Sequence, residues 1–253
     1  MLVLPIRTNR LKNGDDLASL LEPHVQDGDI VVVSSKAMAT VEGASINLAE
    51  LTPSKEATKY AKECRQDPSF TEAVLKETKR LHGDVVGTCP WALLTALKPK
   101  GMGTGRILCP NAGLDTSNIE DGYAIGWPKD PVKSAAELRS SLKQGGKRVA
   151  VLLSDSCCRP GRLGVVAFAL AVAGIDPLLS QVGRSDLFGS TLKFTHEAVA
   201  DQLATAANAV MGNADQSTPA AIIRDHGYQF SDFTGWVEGI AESEDLFQEI
   251  IRS

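Results

Sequence analysis

Aromatic residues are scarce in this 253-residue chain, at 5%, so its core must rest on Ala, Val, Leu and Ile. Basic residues are outnumbered: 26 Lys and Arg stand against 31 Asp and Glu, a net charge of -5. Neutralising many phosphates needs a basic surface, so no nucleic-acid partner is expected, although local positive charge still suits a small anion. No stretch reaches the roughly 20 apolar residues of a spanning helix. The longest uncharged apolar run, Gly164 to Ile175, is short and interrupted by Gly and Ala. The segment Met1 to Arg7 lacks a basic region followed by a long apolar one. No signal peptide and no membrane partner are therefore expected, and a cytoplasmic location is. Five cysteines without a C-x-x-C or a histidine cluster argue against zinc and for a reduced compartment. What is present, 43% hydrophobic and 23% charged residues, is a globular composition.

Local patterns predict several elements. Asp15 to Leu21 reads as a short helix, with Asp at its N-terminus. Ile30 to Val33 is a β-branched run that predicts a buried strand. Helices are predicted from Pro53 to about Arg65, from Asp67 to about Leu81, and from Asp130-Pro131 to Leu142, where Gly145-Gly146 follows. Strands are predicted at Arg148 to Leu153, Val165 to Val172 and Ala220 to Ile223. Thr195 to Met211 predicts a helix with Thr195 as N-cap and Gly212 as its stop, and the acidic tail from Glu238 to Ser253 a surface helix. Gly101 to Gly105 predicts a hairpin turn, since neither a Walker lysine nor a helix follows it. Helices and strands do not alternate regularly, which favours a mixed α/β (α+β) fold with mixed sheets over a doubly wound one. The whole chain, 1–253, is read as a single domain.

Polar residues gather in four loops near strand ends, where ligand sites are common. Ser34, Ser35 and Lys36 offer hydroxyls, backbone N–H groups and an ammonium to a phosphate; the plainer alternative is an exposed strand end. Pro110 to Asn118 packs Asn111, Asp115, Thr116, Ser117 and Asn118 into nine positions, oxygen ligands for a hard cation or else a pair of self-satisfying Asx turns. Ser154 to Arg162 places Asp155 just past a strand, suited to a metal, with Arg159 and Arg162 able to clamp an anion; the plainer alternative is a surface turn with salt bridges. Adjacent Cys157 and Cys158 lack a nearby histidine and read as inert thiols. Met211 to Pro219, with Gly212 and Asn213, suits a nucleotide loop or an ordinary helix-to-strand connection. The four histidines are scattered and read as structural.

Taken in order, the segments PIRTNRLKNGDDLASLL, DGDIVVVSSKAMATVEG, NAGLDTSN, WPKDPVKSAAELR, SDSCCRPGRLG, VGRSDLFGSTLKFTHEAVADQLATAANAVMG and PAAIIRD resemble the coenzyme F(420)-0:L-glutamate ligase family. The resemblance implies a mixed α/β fold of two intertwined subdomains in a homodimer. It implies a GTP-dependent ligase of coenzyme F(420) biosynthesis, which joins L-glutamate in amide linkage to a deazaflavin-type carboxylate acceptor through an acyl phosphate. Implied cofactors are Mg²⁺ or Mn²⁺, with K⁺ besides, and GTP as co-substrate. Asp115 and Asp155 would be catalytic metal ligands, joined by the Ser156 hydroxyl and by Asn213. Arg7, Arg10, Ser34, Ser35, Lys36, Asn118, Met211, Gly212 and Asn213 would hold the nucleotide.

The chain departs from the family pattern inside these loops. Thr40 stands where a second basic residue is usual, Cys158 replaces a glycine, Gly161 an aromatic, and Ala214 falls in a loop with fewer glycines than usual. Arg224-Asp225 replaces Arg-Gly. Three readings follow: the family ligase, a related ligase with a different carboxylate acceptor, and a non-catalytic nucleotide-binding homologue.

Overall fold

The structure, a computed structural model, describes residues 1–247. In chain order the strands are β1 (Leu2–Ile6), β2 (Ile30–Ser34), β3 (Ile46–Asn47), β4 (Asp84–Cys89), β5 (Ala92–Leu97), β6 (Ile107–Pro110), β7 (Tyr123–Ala124), β8 (Ala150–Cys158), β9 (Val165–Ile175), β10 (Leu179–Ser180), β11 (His196–Glu197), β12 (Ala220–Arg224) and β13 (Phe230–Trp236). The helices are α1 (Leu17–Leu21), α2 (Ser35–Val41), α3 (Lys55–Cys64), α4 (Pro68–Arg80), α5 (Pro131–Leu142) and α6 (Val199–Met211).

The main sheet has the order β1-β12-β2-β8-β9-β13. Only β2 and β8 run parallel in it, so the sheet is mixed, as the irregular alternation of elements predicts. Both of its faces are covered. Val31, Val33, Val151 and Leu153 point to one side, against Leu17 and Leu21 of α1 and Ala135, Leu138 and Leu142 of α5. Ile30, Val32, Ala150 and Leu152 point to the other, against Leu203, Ala204 and Ala207 of α6. A strand buried on both faces needs no polar alternation, which is why Ile30 to Val33 is a continuous β-branched run. The alanines of α6 let its backbone approach the sheet closely.

A second sheet, β4-β5-β6, packs with α3 and α4 around Phe70, Val74, Leu93 and Leu97. Leu170 of β9 and Trp236 of β13 belong to the same cluster and join it to the main sheet. Caps set these helices. Ser54 accepts from Ala57 N at 3.1 Å to start α3, and Asp67 accepts from Ser69 N and Phe70 N to start α4, with Pro68 at its first position. Asp130 accepts from Lys133 N at 3.0 Å to start α5, again ahead of a proline. Gly101 to Gly105 lies in the hairpin connection of β5 and β6.

Two predicted elements differ. Thr195 does not cap α6; the helix starts at Val199 with Ala198 before it and no side-chain cap bond. His196 and Glu197 are drawn instead into pairing with Ser180 and Leu179. The tail from Glu238 to Phe247 forms turns rather than a helix. The Glu238 carboxylate accepts from Gly103 N at 3.0 Å and also from Thr104 N, which ties this segment to the β5–β6 connection. The rest of that predicted helix, 248–253, lies outside the described residues.

Candidate active site

The strand predicted to end at Leu153 continues to Cys158, so Asp155, Ser156, Cys157 and Cys158 sit on β8 itself rather than in a loop. The β8–β9 ladder holds them in register, Asp155 opposite Phe168 and Ser156 opposite Ala167. The Asp155 carboxylate is partly buried. Its Oδ2 accepts from Trp127 Nε1 at 2.6 Å and its Oδ1 from Ser156 N at 2.8 Å. Burial raises its pKa to about 6, against the opposing pull of these two donors and of Lys36. The nearby Asp115 charge pushes in the same direction as burial.

Trp127 gets its place from a glycine. The turn Asn111–Gly113 after β6 carries three successive positive φ values, 52°, 53° and 76°. A Cβ on Gly113 would lie 2.5 Å from Trp127 Nε1, so only glycine lets the indole lie against this turn. The same turn delivers Asp115, held by a bridge to Ile125.

Lys36, in the first turn of α2, donates to Asp115 Oδ2 at 2.7 Å and to Ser117 Oγ at 3.2 Å. It is therefore not a solvated lysine at an exposed strand end. Burial pushes the Asp115 carboxyl upward, but the bonds from Lys36 and Ser117 outweigh it and leave its pKa below the ordinary value. Ser35 is buried at 1% exposure, and Ser34 N donates to Pro219 O at 2.9 Å. Thr40, at the position where a basic residue is usual, bonds the Lys36 carbonyl at 2.8 Å and stays within its helix.

The fourth loop meets the others. Asn118 Nδ2 donates to Ala214 O at 3.1 Å, and Thr8 N, between Arg7 and Arg10, donates to Ser217 O at 3.0 Å. The loop thus touches three of the segments that sequence singled out. Gly212 takes φ +73° and Asn213 is exposed, as are Arg7 and Arg10. Met211 is packed in the core beneath the main sheet, so it reaches the loop through its backbone.

Lys36, Asp115, Asp155 and Ser156 line one cavity of about 470 Å³. Its other wall comes from the second sheet and its helices: Gln66, Asp67, Phe70, Trp91 and Asn111. Sequence reasoning did not single out Gln66, Trp91 or Trp127, because nothing in their local patterns says that the two sheets face each other here. Arg159 and Arg162 border a separate depression of about 400 Å³. The Cys157 thiol is pushed up to about 11, by burial first and then by Asp201, which agrees with an inert cysteine.

The donor set suits a hard cation shared with a phosphate ligand. Among the described residues no group of three or more His, Cys, Asp or Glu side chains is placed to cage a metal. Mg²⁺ is commonly held by only one or two carboxylates, with phosphates and water completing its shell. Asp155 keeps one lone pair on each oxygen, and Asp115 keeps one on Oδ1. No helix among the described residues is long and apolar enough to cross a membrane.

Comparison with known proteins gives a consistent set of relatives. The family described as F(420)-0:Gamma-glutamyl ligase matches the chain over residues 5–225. The coenzyme F(420):L-glutamate ligase of Methanocaldococcus jannaschii is 38% identical over 251 residues, covering 98% of this chain and 95% of that protein. The ligase of the same name from Methanothermobacter thermautotrophicus is 36% identical over 245 residues, 92% of each chain. That of Methanopyrus kandleri is 38% identical over 218 residues, 85% of this chain and 82% of its own.

Proposed function

The chain belongs to the F(420)-0:gamma-glutamyl ligase family, and on that premise we propose that it is a ligase of coenzyme F(420) biosynthesis, joining L-glutamate to a deazaflavin carboxylate at the expense of GTP. The observation that carries this reading is the meeting of Asp115, Asp155 and Lys36 at one cavity of about 470 Å³, beside a loop that touches Asn118 and Thr8.

A carboxylate does not react with an amine without activation. In the proposed sequence a carboxylate oxygen of the acceptor attacks the γ-phosphorus of GTP; a C–O–P linkage forms, and GDP leaves. The glutamate nitrogen then attacks the acyl carbon, the C–N bond forms, inorganic phosphate leaves and the nitrogen sheds a proton. Asp115, Asp155, the Ser156 hydroxyl and Asn213 are the groups that would hold Mg²⁺ or Mn²⁺, which supplies neutralisation of phosphate charge; K⁺ is proposed as an auxiliary ion. Lys36 presents an ammonium at the same wall, oriented by Asp115 and Ser117. Ser34, Ser35, Asn118, Arg7, Arg10 and the 211–213 backbone are the proposed nucleotide contacts.

A homodimer is part of the proposal. The arm between β9 and α6 exposes Leu187 at 100%, Phe188 at 95% and Phe194 at 87%. Apolar side chains this exposed are unusual on a monomer and suit a second copy of the chain.

The test is direct. The purified protein is incubated with GTP, Mn²⁺, L-glutamate and the deazaflavin acceptor, and products are read by mass. A gain of one glutamate with stoichiometric GDP is expected. GTP binding without ligation, or ligation only to another carboxylate, would replace this reading.

A further inference from the structure

Two of the chain's three tryptophans, Trp127 and Trp236, are buried, at 3% and 6% exposure. The third, Trp91, is 74% exposed and lines the cavity that Asp155 also lines. It stands in the turn Pro90–Trp91, between Cys89 and Ala92, the pair that closes the β4–β5 hairpin. An indole left in water forgoes the burial that a large apolar ring ordinarily gains.

The backbone that carries this ring is fixed. Trp91 O accepts from Gln66 Nε2 at 2.9 Å, and the same Nε2 donates to Asn111 Oδ1 at 3.1 Å. Asn111 Oδ1 accepts in turn from Leu93 N at 3.0 Å. The Cys64 thiol donates to Ala92 O at 3.5 Å, which ties the other side of the turn to the end of α3. The Arg65 guanidinium lies over the indole, 6.0 Å from its centroid. A ring with an anchored backbone and most of its surface open is a preorganised contact for a ligand.

The chemistry of the lining says what kind of ligand. Lys36, Asp115 and Asp155 make part of it charged. Phe70 and Leu114 make part of it apolar, but at 8% and 5% exposure they leave Trp91 to offer the accessible apolar surface. An occupant complementary to both parts carries a flat ring system and an ionised chain. Among the proposed reactants, L-glutamate has no ring. Guanine is a ring, but of the proposed nucleotide contacts only Lys36 lines this cavity; Ser34, Ser35, Asn118 and the 211–213 backbone do not. The reactant left is the deazaflavin, a planar heterocycle with its carboxylate at the end of a chain.

We propose that Trp91 is a specificity residue for the acceptor, its indole stacking on the planar deazaflavin ring at the edge of the cavity. The inference rests on the ligase reading above and deepens it. Ring recognition falls to the β4–β5 turn, and the reacting end of the acceptor to the side of the cavity that Asp115 and Asp155 line.

The probe is the deazaflavin riboside, which has the ring and lacks the phosphate and carboxylate chain. Its binding to the full chain is measured by calorimetry, beside that of GTP, in the wild type, in Trp91→Ala and in Trp91→Phe. Thermal melts check that both variants fold, and light scattering checks their mass. Riboside affinity should fall by about tenfold or more in Trp91→Ala and by less in Trp91→Phe, which keeps an aromatic face. GTP affinity should stay within about twofold. Deazaflavin emission should be quenched on binding to the wild type and much less so on binding to Trp91→Ala. With the complete acceptor, the loss should appear in KM more than in kcat. A wild type that does not bind the riboside, an unchanged affinity in Trp91→Ala, a loss confined to GTP, or equal loss of both ligands overturns the proposal. So does a fall in mass of Trp91→Ala, which makes the indole a subunit contact. A chain that makes no glutamate adduct yet binds the riboside through Trp91 sinks the ligase reading and upholds this one. A chain that ligates glutamate with an acceptor KM indifferent to Trp91 does the reverse.

Discussion

Trp127 Nε1 donates to Asp155 Oδ2 at 2.6 Å, so a neutral indole, not a cation, makes the side-chain hydrogen bond to the site's partly buried carboxylate. A neutral donor offsets only part of the cost of burying that charge, and the Asp155 carboxyl is left with a pKa of about 6. The site therefore presents a carboxylate that is costly to ionise until something positive arrives.

The first prediction concerns pH. The folded-state value for Asp155 lies above its ordinary 3.8. Between those values the folded chain binds more protons than the unfolded chain, so stability falls as pH rises from about 4 to about 6 and then levels off. The penalty at neutral pH is on the order of 3 kcal/mol. Asp155→Asn removes it. The metal-free variant should melt higher than the wild type at pH 8, and the two should converge near pH 4, while ligation drops by about a thousandfold or more. A variant that melts lower at pH 8 would contradict the assignment.

Trp127→Phe tests the indole donor. Its ring stays between Phe168 and Trp236, but the hydrogen bond goes. A bond to a charged group contributes about 1.5–3 kcal/mol, so the Asp155 pKa should climb by about one unit or more. The midpoint of Mn²⁺ binding against pH, followed by calorimetry, should move upward by the same amount. An unmoved midpoint means that Asp155 does not control cation binding.

Stability should depend heavily on one ion pair remote from the cavity. Asp29 is fully buried and accepts from Arg224 Nε at 2.8 Å and Nη2 at 2.7 Å, and from Gln26 N at 2.7 Å. Arg224→Met strands a buried carboxylate, which costs about 3–5 kcal/mol. Urea denaturation should register this as a lower midpoint with little change in slope.

The fourth prediction addresses assembly. If the arm between β9 and α6 meets a second copy, Phe188→Asp introduces a charge into that contact. Light scattering should then give about twice 26.9 kDa for the wild type and close to 26.9 kDa for the variant. Equal masses for the two proteins would remove the arm from the interface.

Several features were legible without coordinates because they depend on nearest neighbours. Ser54, Asp67 and Asp130 each satisfy backbone N–H groups two or three residues ahead, so the starts of α3, α4 and α5 follow from local chemistry. Thr195 failed as a cap for the converse reason: Gln181 N donates to its carbonyl, and the two residues after it pair with a strand sixteen or more positions earlier. Lys36 and Asp115 each stand out within their own loops, but their 2.7 Å pair spans 79 residues and has no trace in either loop.

Sequence alone determined the net charge of -5, the mixed α/β class, the buried central strand and the candidate aspartates, because composition and residue type decide these locally. Tertiary structure decided which candidates share a cavity. It carried β8 past Leu153 so that Asp155 stands on a strand, and laid Trp127 against Gly113. It also brought Gln66, in the α3–α4 link, to the cavity that Lys36 and Asp155 line. These are contacts between residues far apart in the chain, created when two sheets pack against a common hydrophobic cluster, and no local pattern encodes them.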